Sequence, residues 1–148
     1  MSETYSLLTL FLSAFFAATL IPTQSEIGLG YLVLQRNHST VLLIIIASFG
    51  NILGAIVNWI IGRGIAKSVM RMRKIESTQR YKKISIWYQK FGQWTLLLSW
   101  VPFIGDPITV IAGIFKVPFK NFLLIVAIAK TTRYVIIAFL VEKIALSS

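Results

Sequence analysis

The chain has no cysteine, which excludes disulfides, thiolate metal sites and thiol chemistry. A single histidine, His38, leaves no second imidazole for a His-based metal site, and neither metal nor cofactor is expected. Charge is also scarce: 14% of the 148 residues are charged, against about 25% in a soluble domain. Acid is scarcest, with 5 Asp and Glu beside 15 Lys and Arg. There is no Ser-His-Asp set, no HxxxH pair and no Gly-rich phosphate loop behind a strand, so no enzyme and no catalytic residue is expected. Met1-Ser2-Glu3 lacks the basic n-region of a cleaved signal peptide, so residues from 4 onward are expected in the mature protein.

What remains is apolar. Hydrophobic residues make up 56% of the chain and the mean hydropathy is +0.76. Such a surface does not suit water, and the composition predicts an all-α, multi-pass membrane protein with one membrane domain. Nine of the fifteen cations (Arg63, Lys67, Arg71, Arg73, Lys74, Arg80, Lys82, Lys83, Lys90) fall in one 28-residue window between apolar blocks. That distribution fits a cytoplasmic loop under the positive-inside rule, and no nucleic-acid module accompanies it. Over Ala66–Lys90, Val69, Met72, Ile75, Ile84, Tyr88 and Phe91 recur mostly at three- and four-residue spacing. Two readings stand: an amphipathic linker helix lying on the anionic leaflet, or a solvated loop whose charge only sets topology.

Run lengths divide the apolar blocks by what they can do. Val41–Ile61 has 21 residues and Phe122–Val141 has 20, enough to cross about 30 Å of hydrocarbon. Thr4–Ser25 has 22 but breaks at Pro22-Thr23-Gln24-Ser25, and Phe91–Gly105 has 15. Ile27–Gln35 and Pro107–Phe115 have 9 each, less than half of what a crossing needs. Each follows a proline-containing break, at Pro22 and at Pro102 with Pro107. Re-entrant hairpins that leave by the face they entered are therefore expected, covered by protein or water.

A shift of 80 residues superposes several features. Pro22 meets Pro102, Glu26 meets Asp106, Leu43–Ala47 meets Leu123–Ala127, and Arg63 meets Lys143. The expected organisation is a repeat over about 5–63, a basic linker over about 64–90, and a second repeat over about 91–143. One crossing per half inverts the second copy, an arrangement that in transporters sets the substrate site between the repeats near the midplane. With the linker cytoplasmic, both termini point outward.

Ionisable groups inside apolar stretches are expensive and need a reason. Glu26 and Asp106 each open a short apolar run, and serve either as helix caps or as acids sharing a cavity. Lys130 and Arg133, three apart in the last span, are their expected partners; the same cations suit a phosphate headgroup or a structural ion pair. Asn51 and Asn58 share a face of the first span, for the interior or for interhelical hydrogen bonds. Gly50, Gly54 and Gly62, with Ala47 and Ala55, form a surface for close helix approach. Arg63 is expected to snorkel at the cytoplasmic end, with headgroup binding as a further role. His38 is expected to be exposed on the outer face.

Pro22–Glu26, Gly50-Asn51-Ile52-Leu53-Gly54 with Gly62-Arg63, Phe91-Gly92, and Ser99-Trp100-Val101-Pro102-Phe103-Ile104-Gly105-Asp106-Pro107 with Ala112-Gly113 carry a resemblance. Together they resemble the DedA superfamily (the VTT or SNARE-associated-like domain), and within it the small YqaA-type branch. The resemblance covers nearly the whole chain. It implies opposed re-entrant hairpins beside spanning helices, a bacterial inner-membrane location, and flipping of a polyprenyl phosphate or scrambling of phospholipids, often with proton dependence. Family members carry two arginines in the second hairpin; here Ser99 and Gly105 stand at those places and Asp106 is added. Lys130 and Arg133 are expected to substitute for those cations. The expected function is translocation or scrambling of an anionic lipid, with membrane lipids as partners and a homo-oligomer left open. The alternatives are a non-transporting scaffold or assembly factor and a proton-coupled transporter of a small solute.

Overall fold

The computed structural model describes residues 2–18, 24–73, 79–101 and 104–147. Pro22 and Pro102, the two expected breaks, lie outside these residues. Every regular element among the described residues is helical: α1 (Ser2–Ala17), α2 (Gln24–Gln35), α3 (Thr40–Arg73), α4 (Gln79–Lys90), a 3-10 helix (Gly92–Trp100), α5 (Gly105–Ile114) and α6 (Phe119–Ser147).

Two helices are long and apolar enough to cross a membrane. Thr40–Val69 of α3 has 30 residues and Phe119–Leu146 of α6 has 28, which at helical rise is about 45 and about 42 Å. Ser39 starts α3 by accepting the Leu42 N–H on its hydroxyl at 3.2 Å. Pro118 stands just before α6, where its missing N–H costs nothing. α3 outruns its apolar stretch because the basic residues beyond Ile61 are good helix formers. The expected linker thus consists of the end of α3 and of α4, with residues 74–78 outside the described set.

α3 and α6 lie side by side and antiparallel. At one end the Thr40 hydroxyl donates to Glu142 at 2.5 Å, and at the other the Trp59 indole N–H donates to the Val117 carbonyl at 3.2 Å. Their outer faces carry bare hydrocarbon, including Ile45, Phe49, Ile60, Leu124, Ile128 and Phe139, each more than half exposed. A core helix of a soluble protein hides such residues; these face outward as a lipid-facing helix does.

Glycines let the short helices close on α3. A Cβ on Gly50 comes within 2.5 Å of the Phe11 carbonyl, and one on Gly62 runs into the Val110 carbonyl. A Cβ on Gly113 meets the Trp59 carbonyl in the same way. Ala47 and Ala55 are fully buried on the same helix, so the expected small-residue surface is the packing seam of α3. Two apolar clusters result. One joins Leu10, Leu29, Leu43, Ala47 and Ala138; the other joins Ala55, Leu96, Ala112, Phe122 and Val126.

The element bounds repeat at the offset seen in the sequence. Gln24–Gln35 and Gly105–Ile114 nearly coincide after a shift of 80, as do the starts of α3 and α6. Among the described residues the positive-φ positions other than glycine are Arg36 (φ 56°) and Lys116 (φ 58°), also 80 apart. Each ends its short helix. The Arg36 N–H returns to the Val33 carbonyl at 3.3 Å, and the Lys116 and Val117 N–H groups return to Gly113 and Ala112 at 3.0 Å. In the second case the pair of bonds is a Schellman cap with lysine where glycine is usual.

α4 docks on the turn after α5: Ser85 and Gln89 donate to the Phe115 carbonyl at 3.2 and 3.1 Å, and Tyr88 stacks on the Phe115 ring. Its other side leaves Ile84, Trp87 and the following Phe91 exposed.

Candidate functional site

Between the two apolar clusters lies a belt of polar groups. Asn51 is the midpoint of the apolar run Val41–Ile61, and Lys130 and Arg133 flank the midpoint of Phe122–Val141. The antiparallel pairing of α3 and α6 sets these midpoints side by side. Lys130 Nζ is 3.0 Å from Asp106 Oδ1, and donates to Asn51 Oδ1 as well. Asn51 Nδ2 donates to the Tyr134 hydroxyl at 2.8 Å, which donates to Ser25 Oγ at 3.0 Å. Arg133 forms an ion pair with Glu26. The four charged residues meet as two pairs, Asp106 with Lys130 and Glu26 with Arg133, and Asn51 links Lys130 to Tyr134.

Each acid comes from the first turn of a short helix, where the N-terminal backbone dipole favours negative charge. Capping is not the role of the Asp106 side chain: the N-cap of α5 is Ile104, with no side-chain cap bond, and the carboxylate reaches Lys130. The two acids pair separately. Each takes its own cation, because Lys130 and Arg133, three apart, splay toward α5 and α2.

The pairs differ in surroundings. The Lys130 side chain is 2% exposed and donates to both Asp106 and Asn51. Arg133 and Glu26 border a cavity of about 320 Å³ whose other walls are Trp100, Val101 and Ile137. That cavity sets a charged pair against hydrocarbon.

The comparisons with known proteins bear on the whole chain. The VTT domain matches residues 6–143. The chain belongs to the VTT-domain family. It is 36% identical to Inner membrane protein YqaA of Escherichia coli (strain K12) over 138 residues, covering 93% of this chain and 92% of that protein. An uncharacterised protein of Haemophilus influenzae is 32% identical over 146 residues, covering 91% of this chain and 87% of its own, and protein RP436 of Rickettsia prowazekii is 24% identical over 132 residues, covering 89% and 92%. No solved structure matches. The DedA resemblance read from the motifs is thereby established, and with it membership in a membrane-protein family.

Within this family, the places of the two expected arginines have a physical explanation. A Cβ on Gly105 runs into the backbone of Ser99, and Ser99 is itself 1% exposed. Neither position has room for an arginine, and the mid-span cations stand on α6 instead.

Other candidates fall elsewhere. Asn58 donates to the Ala18 carbonyl at 2.7 Å, the interhelical bond that was its other reading. Arg63 lies three helical turns beyond Asn51, its guanidinium 4.6 Å from the Trp59 ring centroid, and the structure does not bring it to the belt. Pro107 is exposed in the first turn of α5. His38 departs from expectation: it is half-buried, its Nε2 3.0 Å from Ser6 Oγ, because α1 packs beside the turn that carries it. Sequence reasoning missed Ser25 and Tyr134. Tyr134 follows Lys130 by four residues, so the one-face rule used for Lys130 and Arg133 identifies it once applied a turn further.

Proposed function

We propose that this protein translocates or scrambles an anionic lipid (a phospholipid or a polyprenyl phosphate) across a bacterial inner membrane. One observation carries the reading: an acid–base pair, Arg133–Glu26, at the middle of a membrane-length helix and bordering a cavity with apolar walls. An ionisable pair at that depth is costly unless it serves a path, and a guanidinium suits a phosphate.

In this reading α1–α2 and the 3-10 helix with α5 are opposed re-entrant hairpins, and the two halves are inverted repeats. Support comes from the short lengths of α2 and α5, the antiparallel α3 and α6, and the paired positive-φ caps 80 residues apart. The basic linker lies on the cytoplasmic face with the bare side of α4 on the leaflet, and both termini point outward. The acids supply proton linkage, and the protein is not an enzyme.

The test is reconstitution with a fluorescent anionic lipid, scored by how much label becomes accessible to a membrane-impermeant quencher. Wild type is expected to equilibrate the leaflets, and Arg133→Gln with Lys130→Gln to stop it. Arg133→Lys, which keeps the charge, is expected to retain partial activity. Unchanged flipping in the double variant, in protein shown folded by its melting curve, overturns the reading.

A second reading, a non-transporting scaffold, draws on the more deeply buried half of the belt, where Lys130, Asn51 and Tyr134 are all paired. A folded wild type that moves no lipid favours it.

A further inference from the structure

A second polar feature lies away from the belt. Around a cavity of about 550 Å³ stand Arg63 and Lys67 from the far end of α3 and Lys116 from the α5–α6 turn, with Ile60 and Gly64. Among the described residues its lining holds three cations and no carboxylate.

The fold builds this site rather than leaving it to scattered surface charge. Arg63 and Lys67 are four apart on one helical face. The guanidinium of Arg63 rests against Trp59, which is itself tied to the Val117 carbonyl, so the cation has a fixed seat. Lys116 comes from a different element, held in the left-handed region at φ 58° by the Schellman cap that closes α5. Glycine is usual there because it meets no steric penalty, yet lysine occupies it, on the rim of the cavity. Gly64 lines the cavity too: a Cβ there meets nothing within 4 Å, so the space in front of it is open.

The opposite end of the molecule offers a contrast. A shift of 80 pairs Arg63 with Lys143 and Lys116 with Arg36. The counterpart of Lys67 is Ser147, and Glu142 stands beside Lys143 and accepts from Thr40. Among the described residues, the cavity lining at the end that leads into the basic linker gathers three cations.

We propose that Arg63, Lys67 and Lys116 bind the phosphate group of an anionic lipid headgroup at the leaflet that faces the basic linker, a docking station separate from the mid-span belt. Three cations converging on one cavity suit a phosphate ester, whose charge and acceptor oxygens they neutralise together. A free phosphate ion offers the same oxygens. Ile60 in the wall and the exposed apolar flank of α3 beside it favour the lipid, whose chains they cover. As a binding site it stands without the transport reading, and it supplies that reading with an entry point.

The experiment is native mass spectrometry of the detergent-released full chain, titrated with short-chain phosphatidic acid or phosphatidylcholine, with and without inorganic phosphate. Wild type is expected to prefer phosphatidic acid by about tenfold or more, the scale of a phosphate held by several charge-assisted bonds. Arg63→Gln with Lys67→Gln and Lys116→Gln is expected to lose that preference. Gly64→Leu, which fills the cavity without altering charge, is expected to lose it as well. Lys82→Gln with Lys83→Gln and Lys90→Gln removes equal charge from α4 and is expected to keep it. Equal loss in the α4 variant, or wild-type preference in Gly64→Leu, overturns the site by reducing it to general charge. Inorganic phosphate binding with no preference between the lipids overturns the lipid as occupant. Flipping and headgroup preference are scored separately, so a protein that binds but does not flip rejects the transport reading and leaves this site standing.

Discussion

The two halves of the molecule share a backbone plan and differ in where they keep charge. Each half has a short apolar helix opened by an acid, a cap with a cation at positive φ, and one long apolar helix. Yet both mid-span cations belong to α6, while α3 brings only Asn51 to the same depth and otherwise lines its seam with glycine and alanine. The comparison teaches a division of labour. α3 is the helix that others approach closely, and α6 is the helix that reaches out with long charged side chains to both short helices at once.

If that division is right, removing charge from α6 has the largest effect. Lys130→Ala leaves the half-buried Asp106 and the buried Asn51 without their cation, and is expected to cost about 3–5 kcal/mol of stability. The thermal midpoint in detergent micelles measures it; a shift within error shows that the pair contributes nothing to the fold. The matching change on α3 is smaller. Asn51→Ala removes one link between Lys130 and Tyr134 and is expected to cost about 0.6–1.7 kcal/mol, the range of hydrogen bonds between membrane helices. A loss as large as that of Lys130→Ala erases the contrast between the two spans. The smallest effects test what the halves have in common. Arg36→Gly and Lys116→Gly each relieve a left-handed residue, and each is expected to stabilise by about 1 kcal/mol. Unequal effects show that the two caps are not equivalent, and weaken the repeat.

Much of this plan is legible in the order of residues alone. The nine-residue apolar runs Ile27–Gln35 and Pro107–Phe115 are too short to cross, and α2 and α5 prove to have 12 and 10 residues. The expense of a charge in hydrocarbon identifies Glu26, Asp106, Lys130 and Arg133 without any geometry, since such groups persist only when paired or used. Other features resist such reading. The nine-residue 3-10 helix Gly92–Trp100 occupies a run that composition alone does not distinguish from an α-helix, and 3-10 stretches of that length are uncommon. His38 looks like a loop residue and is half-buried, because its burial depends on where α1 comes to rest.

Hydrophobicity, run length and the placement of cations therefore determined by themselves that this is a helical membrane protein with two helices long enough to cross a bilayer and ionisable groups within its apolar stretches, since those are properties of a chain against its solvent. Which acid meets which base is different in kind: Asp106 with Lys130 and Glu26 with Arg133 follow from the antiparallel seating of α3 and α6. The convergence of Arg63, Lys67 and Lys116 likewise depends on the close approach that Gly62 and Gly113 permit. Contacts across 24 to 109 residues are set by packing, and packing is decided only when every helix has found its neighbour.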